Sequence, residues 1–324
     1  MSATLHRQRG VAVVTALLLT TLAVTIVASL FWQQQVQVRS MENQRLHLQT
    51  RWILRGALDW ARLILQQEGR DSKLVTRADG VWATPLAETR LDDYLERERQ
   101  NNETYDATLS GQIYDAQARY NLANLAIATG VDAEQVKVFG RLLRNLQLDE
   151  ALAMPVAQAV ARAREKQLGD GGKDKGTGAG TPGVTSSGSG VPLDLLRVED
   201  LLAVAGVTQQ TVERLREFVI VLPVGVKVNV NTARAEVLAA LFDSMSVSEA
   251  QSLVARRKTN SWSDAAQIKF NGLDPAVPVV YRSDNFLVQS QVRLERAALE
   301  TWALIRRQDP KVGTLTWPVW IREL

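Results

Sequence analysis

The sequence predicts an α+β fold in which a long N-terminal helix, membrane-spanning in its first half, packs on an antiparallel sheet that a large α-helical insertion interrupts. Three observations carry this prediction. Residues 11–32 carry no charge, and a helical spacing of apolar residues continues well beyond them. Alternating apolar residues indicate strands within 69–120 and again within 284–324. Between them, residues 121–283 are dominated by helical patterns.

The composition excludes several classes of function. The 324 residues carry a net charge of +3, and Arg7 and Arg9 supply two of those charges, so no clustered basic excess for nucleic acid remains. There is no cysteine, which excludes disulfides, thiol catalysis and cysteine-ligated metals. The only histidines are His6 and His47, too few for a multi-histidine metal site. We expect no catalytic triad and no enzymatic activity.

The uncharged run 11–32 predicts a membrane-spanning helix. Its 22 residues rise about 33 Å, enough to cross a hydrocarbon core of about 30 Å. Its only polar residues are four threonines and a serine, whose hydroxyls can bond back to helix carbonyls. Because basic residues precede it, we expect a single-pass protein with a cytoplasmic N-terminus and an exported bulk. The run is too long for a secretory signal peptide, whereas a plain signal anchor remains an alternative.

The junction before this run resembles the signal of type IV pilins and pseudopilins. Arg9-Gly10 stands directly before Val11, so a basic leader ends in glycine immediately ahead of apolar residues. The resemblance implies a leader at 1–10, which a prepilin peptidase removes on the cytoplasmic side by cutting between Gly10 and Val11.

One departure from the family pattern concerns Thr15. Most pilin-like subunits carry a glutamate at the fifth mature position, which is Thr15 here, and that carboxylate is thought to neutralise the terminal amine of a neighbouring subunit. A lone carboxylate in hydrocarbon is costly, so a subunit without that neighbour has reason to omit it. Thr15 therefore predicts a subunit that initiates or caps the filament. The alternative is a pilin-like anchor that never polymerises.

The helix is predicted to continue over 33–68 as its periplasmic half. Apolar residues from Leu46 to Leu65, Trp60 among them, recur at three- and four-residue spacing with arginines between them. This amphipathic pattern leaves one face for a sheet to cover. Gly69 is the expected end of the helix.

Two strand signals precede the helical region. Val81–Ala83 is the first. The second alternates up to a predicted Ser110-Gly111 turn, after which Ile113 opens a return strand.

Three strand signals follow the helical region. Residues 286–294 alternate, and Leu299–Arg306 is predicted to pair back across Glu295-Arg296. Leu315–Ile321 supplies a further strand, for which Pro318 favours an edge position.

A short motif at the start of the helical region resembles a segment of the K-type minor pseudopilin of type II secretion. That family shows the arrangement D-x-x-x-R-x-N-L-x-x-L, which this chain reproduces with Asp115, Arg119, Asn121, Leu122 and Leu125. Asn121 is the expected N-cap of the helix that follows.

The helical region begins with a predicted capping box of Asp132 and Gln135. A second helix is expected over Met154–Arg164. Residues 169–190 then hold nine of the chain's twenty glycines. Such a composition buries too little apolar surface to offset its ordering entropy, which predicts a flexible loop.

A second motif, Asn229-Val230-Asn231-Thr232-Ala233, resembles the N-x-N-T-A signature shared by the K-type pseudopilin and some DNA-binding hairpin modules. Asn231 or Thr232 is expected to cap a helix that starts near Ala233.

A membrane-tethered, competence-type DNA-binding protein is therefore the alternative function. Leu201–Leu215 resembles half of a helix-hairpin-helix, whose backbone amides can hold a phosphate. Thr208 stands where a second glycine usually lets the phosphate approach, and Arg256-Arg257-Lys258 is the only basic run nearby. We therefore favour a packing module and do not expect nucleic acid as a partner.

The resemblance to the K-type pseudopilin covers nearly the whole chain, and it implies a function in assembly. The expected protein is a minor pseudopilin at the pseudopilus tip, which initiates or caps the filament for protein export from a Gram-negative cell. Its implied partners are I- and J-type minor pseudopilins, the major pseudopilin, the prepilin peptidase and the assembly platform of the inner membrane.

Calcium is the only cofactor that the resemblance implies. Hard cations need several oxygen ligands, and the available carboxylates are Asp149, Glu150, Asp194, Glu199 and Asp200. Their spacing matches no calcium loop, so calcium is an expectation without an assigned site.

Overall fold

The computed structural model describes residues 9–91, 107–170, 195–264, 267–269, 272, 274–308 and 315–323. Within these ranges the α-helices are α1 (Arg9–Asp71), α2 (Ala133–Asn145), α3 (Ala153–Asp170), α4 (Gln209–Leu215), α5 (Ala235–Ala240) and α6 (Val247–Thr259). The strands are β1 (Leu86–Arg90), β2 (Ala107–Asp115), β3 (Tyr120–Asn121), β4 (Ala126–Ile127), β5 (Gly130–Val131), β6 (Val219–Ile220), β7 (Asn285–Leu294), β8 (Ala297–Arg307) and β9 (Thr316–Glu323). Most of the predicted leader and residues 171–190 of the predicted loop lie outside the described residues.

Helix α1 is continuous over 63 residues and is therefore about 95 Å long. Its first half is long and apolar enough to cross a membrane, and none of that apolar window is buried within the chain. The hydroxyls of Thr20, Thr21 and Thr25 donate to carbonyls three residues earlier, at 2.8–3.0 Å, as predicted. The predicted end at Gly69 is wrong. The amide of Ser72 still bonds to the carbonyl of Glu68 at 2.9 Å, so helical bonding continues past the glycine.

Five strands form one antiparallel sheet in the order β1-β2-β7-β8-β9. The predicted hairpin across Glu295-Arg296 is confirmed, and Glu295 supplies the left-handed residue of its turn with φ 51°. The predicted last strand is confirmed as β9, and it lies at the edge of the sheet. Pro318 lies beside an irregularity in the β8–β9 pairing, a position that costs no ladder hydrogen bond.

Two predictions about the first strands are wrong. Val81–Ala83 is a 3-10 helix, in which the amide of Ala83 bonds to the carbonyl of Gly80 at 2.9 Å. Ser110-Gly111 makes no turn, because β2 runs straight through it and pairs with β7 along its length. Gly111 instead permits a close backbone approach: a Cβ atom there would lie 2.7 Å from the carbonyl oxygen of Gln289.

The second half of α1 packs on one face of the sheet. Leu58, Ala61 and Leu65 form one cluster with Phe286, Val288, Ala303 and Ile305. One turn earlier in the helix, Leu54 packs with Leu109 and Val292. These strand residues alternate along their strands, so they share one face. Trp60, predicted to belong to the packed face, is instead 49% exposed, because it lies at the margin of the helix face that the sheet covers.

The helical insertion lies between the end of β2 and the start of β7 and has its own core. Tyr120 stacks on Phe139 with ring centroids 5.7 Å apart, at the centre of a cluster that includes residues of all five insertion helices, α2 to α6. Asp132 caps α2 as predicted, accepting from the amides of Glu134 and Gln135. The reciprocal half of the predicted capping box is not formed, because the Gln135 side chain accepts from the Tyr120 hydroxyl at 3.0 Å. The predicted second helix is confirmed as α3.

Candidate functional site

A group of buried polar side chains lies where the sheet, the segment after α1 and the insertion meet. This polar junction consists of Thr76, Asp115, Gln117, Asn229, Thr232, Ser283 and Arg307. All of them except the partly buried Thr232 are at most 5% exposed. Buried polar groups are stable only when they are hydrogen-bonded, so the arrangement is specific rather than incidental.

Asp115, at the end of β2, is the centre of the polar junction. Its Oδ2 atom accepts from the hydroxyls of Ser283 and Thr232, each at 2.5 Å, and from the side-chain amide of Asn229 at 3.3 Å. Its Oδ1 atom accepts from the amide of Gln117 at 2.8 Å and thereby caps a 3-10 turn. Burial raises the pKa of Asp115, and the hydrogen bonds to its carboxylate oppose that rise.

Thr76 and Arg307 form the second half of the junction. The Thr76 hydroxyl accepts from the amide of Ser283 at 3.0 Å and from the Arg307 guanidinium at 3.1 Å. Arg307 also donates to the carbonyls of Ser283, at 2.7 Å, and Leu65, at 3.3 Å, while it lies over the ring of Phe286. Burial lowers the pKa of Arg307 to about 10, so the guanidinium stays charged at neutral pH.

The structure brings Asp115 and the second motif together and corrects the role predicted for the motif. Helix α5 begins at Ala235 after Arg234, which makes no side-chain cap, so neither Asn231 nor Thr232 is a helix cap. Thr232 bonds to Asp115 instead. Asn231 bonds to both backbone groups of Trp262, at 2.8 and 2.9 Å, and Ala233 is fully buried in the insertion core.

Asn121 and the leucines of the first motif belong to the insertion core and not to the polar junction. Asn121 caps the 3-10 helix Leu122–Leu125 through the amide of Ala123, as predicted. It also accepts from the amide of Leu222 at 3.0 Å and donates to the carbonyl of Pro223 at 2.9 Å. Leu122 is fully buried, as is Leu125.

Arg119 has a different position from the other motif residues. It lies partly buried in a groove between the insertion and the sheet. Within the described part of the chain, its guanidinium has neither a hydrogen-bond partner nor an ion-pair partner. Burial lowers its pKa, and the neighbouring charge of Arg234 lowers it further.

The predicted processing residues are remote from the polar junction. Gly10 and Val11 lie in the first turn of α1, and Thr15 follows one turn later with an exposed side chain. All three lie in the membrane-spanning half of the helix.

The described carboxylates named for calcium each have a partner within the chain. No group of three or more acidic or histidine side chains in the described part of the chain could hold a metal ion. Asp149 caps a 3-10 turn, Glu150 pairs with Arg144, Glu199 pairs with Arg216, and Asp200 accepts from two backbone amides. Asp194 lies outside the described residues. Calcium therefore stays an expectation without an assigned site among the described residues.

The features that favoured DNA binding have structural roles. The first leg of the predicted hairpin is a 3-10 helix, Val198–Ala203, and not an α-helix. In the basic run, Arg257 is buried and donates to the carbonyl of Val230 at 2.6 Å. Burial lowers its pKa to about 10. Only Arg256 and Lys258 of that run are exposed.

Four residues of the polar junction are not predicted from the sequence: Thr76, Gln117, Ser283 and Arg307. The side-chain oxygen of Gln117 accepts from the amides of Asp284 and Asn285, and its side-chain nitrogen donates to the carbonyl of Lys227. No local pattern marks any of the four, because each acts through partners far away in the sequence.

Comparisons with known proteins agree with the resemblance found in the sequence. Two sequence models of the family described as type II secretion system protein K match residues 118–224 and 228–277. These ranges contain Arg119, Asn121, Asn229 and Thr232, whereas Asp115 lies three residues before the first.

The curated relatives carry the same description. Type II secretion system protein K of Pseudomonas aeruginosa is 30% identical over 73% of this chain and 68% of that protein. The protein of the same description from Klebsiella pneumoniae is 26% identical over 96% of both chains.

A solved structure shares the fold. One chain of the crystal structure of the GspK-GspI-GspJ complex from enterotoxigenic Escherichia coli matches with a TM-score of 0.64 and 19% identity, over 88% of this chain and 99% of that one. The identity to the Pseudomonas protein and the two matching family models show that the chain belongs to the type II secretion system protein K family, the K-type minor pseudopilins of protein export.

Proposed function

We propose that this minor pseudopilin occupies the tip of the pseudopilus, where it initiates or caps the filament. The observation that carries the proposal is Thr15, which stands in the apolar half of α1 where most pilin-like subunits have a glutamate. A carboxylate in hydrocarbon needs a positive partner, and the tip subunit is the one with no neighbour beyond it to supply the terminal amine. The filament therefore tolerates threonine at that place.

The position of the insertion supports a capping role. Thr76 and Arg77 follow directly after α1, and both bond to the insertion: the Thr76 amide to the carbonyl of Tyr281 at 2.9 Å, and the Arg77 guanidinium to the carbonyl of Lys258 at 3.3 Å. The insertion is thus attached at the end of α1 opposite the membrane-spanning half. The volume of the insertion at this end of the helix obstructs the addition of another subunit above this one.

Exposed apolar residues on α1 offer a surface for partner subunits. Met41, Leu48 and Trp52 lie on the same side of the helix and are 56–67% exposed. On the sheet, Val319 and Ile321 of the edge strand β9 are about half exposed. Clustered exposed apolar side chains such as those on α1 indicate a protein interface. The related E. coli structure is a complex with GspI and GspJ, and we assign this surface to the I- and J-type partners.

The membrane topology and processing follow from the N-terminus. We infer that α1 holds the subunit in the inner membrane with its N-terminus cytoplasmic and its bulk periplasmic. The prepilin peptidase cuts between Gly10 and Val11, after which the assembly platform adds the subunit to a filament of the major pseudopilin. Mass spectrometry of the membrane-extracted protein is expected to find Val11 at the N-terminus. A mature chain that begins at Met1 or Ser2 contradicts the inferred processing.

Co-purification tests the partner assignment. The full chain is expressed with the I- and J-type pseudopilins of its own secretion system, solubilised in detergent and captured through a tag. We expect the three proteins to elute together, and we expect Leu48→Lys or Trp52→Lys to release the partners. Leu74→Lys is the matched control, because Leu74 is 77% exposed but lies beyond α1. Recovery of the chain alone, or full recovery of the partners with both lysine variants, contradicts the proposal.

A further inference from the structure

An open groove of about 930 Å³ separates the insertion from the sheet. Its floor is formed by Gln289, Trp302, Trp320 and Arg322 of the sheet, and its wall by Arg119 and Ile220 of the insertion. We call it the tryptophan groove. Its volume lies in the range of ligand-binding clefts, about 300–1,000 Å³.

The floor of the tryptophan groove is built by strand register. Gln112, Gln289, Trp302 and Arg322 lie opposite one another in β2, β7, β8 and β9, and Tyr114, Leu287, Leu304 and Trp320 form the adjacent row. Tyr114 stacks on Trp302 with ring centroids 5.8 Å apart, and Arg322 lies 4.3 Å over the ring of Trp320. A row of mostly polar residues thus runs beside a row of leucine and aromatic residues.

Hydrogen bonds hold the aromatic rings of the floor in place. The indole of Trp302 donates to Glu300 at 2.9 Å, and the Tyr114 hydroxyl donates to Gln289 at 3.2 Å. The Gln289 amide in turn donates to Glu300 at 2.8 Å. Rigid aromatic groups bind a partner at a low cost in conformational entropy.

The charges that line the groove are mostly positive. Five arginines lie along it, against two glutamates and Asp115, and Asp115 is turned into the polar junction. The glutamates are already paired, Glu199 with Arg216 at 3.0 Å and Glu217 with Arg234. The Arg119 guanidinium is partly buried and forms no ion pair among the described residues. Burial lowers its pKa, although the charge of the more distant Glu217 raises it. An unpaired, partly desolvated guanidinium gains most from an anionic ligand.

The tryptophan groove lies on the opposite face of the sheet from α1. The residues that α1 covers, such as Phe286 and Val288, alternate along β7 with Leu287 and Gln289, which face the groove. Packing of α1 against other subunits therefore leaves the groove open.

We propose that the tryptophan groove binds an extended acidic peptide segment of a protein partner. Its carboxylates pair with Arg119 and Arg322, and its apolar side chains lie on Trp302 and Trp320. Tryptophan, tyrosine and arginine are the residues that dominate binding energy at protein interfaces, and here they converge on one cleft with an excess of positive charge. This inference stands independently of the tip role, since it rests on the groove alone.

Peptide selection on the whole protein tests the inference. The full chain in detergent micelles is immobilised through a biotin on a cysteine introduced at the exposed Ser252, which is unique because the chain has no other cysteine. The probe is a phage library of random eight-residue peptides. We expect the enriched sequences to carry aspartate or glutamate beside apolar residues. Enriched sequences without carboxylates, or no enrichment, overturn the proposal.

Variants locate the binding site. Fluorescence anisotropy with an enriched peptide is expected to show at least about tenfold weaker binding to Arg119→Gln and to Arg322→Gln. Arg162→Gln is the control, because Arg162 is exposed on α3 away from the groove, and it is expected to bind as the unaltered protein does. Binding to both groove variants that is as tight as binding to the unaltered protein overturns the proposal. So does selective, Arg119-dependent binding of dextran sulfate without any peptide enrichment, which assigns the groove to an anionic polysaccharide.

Discussion

The hydroxyl of Ser283 donates to the carboxylate of Asp115 at 2.5 Å, although 168 positions separate the two residues in the sequence. Asp115 ends the strand that leads into the insertion, and Ser283 stands just before the strand that leaves it. The bond therefore fastens the two ends of the insertion to each other. Thr76, Asn229 and Arg307 attach the same point to the end of α1, to the insertion core and to the sheet.

The pH dependence of stability tests the burial of Asp115. Burial raises the pKa of Asp115 above the ordinary value of 3.8. The contribution of this carboxyl group to the unfolding free energy is therefore full below the pKa of the unfolded state, and it is lost as the pH rises through the pKa of the folded state. Asp115→Asn cannot titrate. The unfolding free energy of the unaltered protein minus that of Asp115→Asn is therefore expected to fall from pH 4 to pH 7, by about 1.4 kcal/mol for each unit of pKa rise.

Urea unfolding of the detergent-solubilised protein at several pH values measures this difference. A difference that grows with pH contradicts the account, because it indicates a lowered pKa and a carboxylate stabilised chiefly by its hydrogen bonds.

A pair of glycine substitutions tests the packing of the sheet. Gly111→Ala places a Cβ 2.7 Å from the carbonyl oxygen of Gln289, so we expect a loss of about 1–3 kcal/mol in unfolding free energy. Gly56→Ala is the control within α1, where a Cβ meets nothing within 4 Å and helix propensity favours alanine by about 1 kcal/mol. Thermal unfolding measures both. An unchanged melting temperature for Gly111→Ala contradicts the close approach of the strands.

The basic run on α6 offers a matched pair of neighbouring arginines. Arg257→Gln removes a buried donor to the carbonyl of Val230, and we expect a loss of about 1–3 kcal/mol. Arg256→Gln changes an exposed side chain, and we expect less than about 0.5 kcal/mol. Denaturant unfolding separates the two. Equal stability of both variants, together with loss of a DNA mobility shift in each, favours the DNA-binding alternative instead.

The sequence predicts the structure correctly where local patterns determine it. The apolar spacing of α1, the alternation along β7 and the turn at Glu295-Arg296 all depend on neighbours in the chain, and each was found correctly. The motif around Asp115 and Asn229 identified the family, although nothing in either segment showed that the two segments meet.

The errors have a common physical cause. Thr232 stands just before a helix and has the chemistry of a cap, but its hydroxyl bonds to Asp115, 117 positions away. Gly111 has the composition of a turn, but the backbone of β7 approaches it. Arg307 and Thr76 are 231 positions apart, and no periodicity relates them. Residue types that are typical of caps and turns also make long-range contacts, and the sequence pattern does not distinguish the two uses.

Thr15 provides a test of the tip position. Thr15→Glu places a carboxylate in the apolar half of α1, and at the tip no neighbouring amine offsets its cost. We expect this variant to reduce secretion and recovery with the I- and J-type partners, whereas Thr15→Val is expected to behave as the unaltered protein does. Secretion and co-purification measure both variants. Unimpaired secretion with Thr15→Glu contradicts an unpaired tip position.

The place of this subunit in assembled pseudopili tests the central claim most directly. The variant Ser252→Cys introduces a single cysteine, because the chain has none of its own. A gold label on that cysteine marks each copy in filaments examined by electron microscopy. The account predicts one label at one end of each filament. Labels distributed along the filament, or filaments without any label, contradict it.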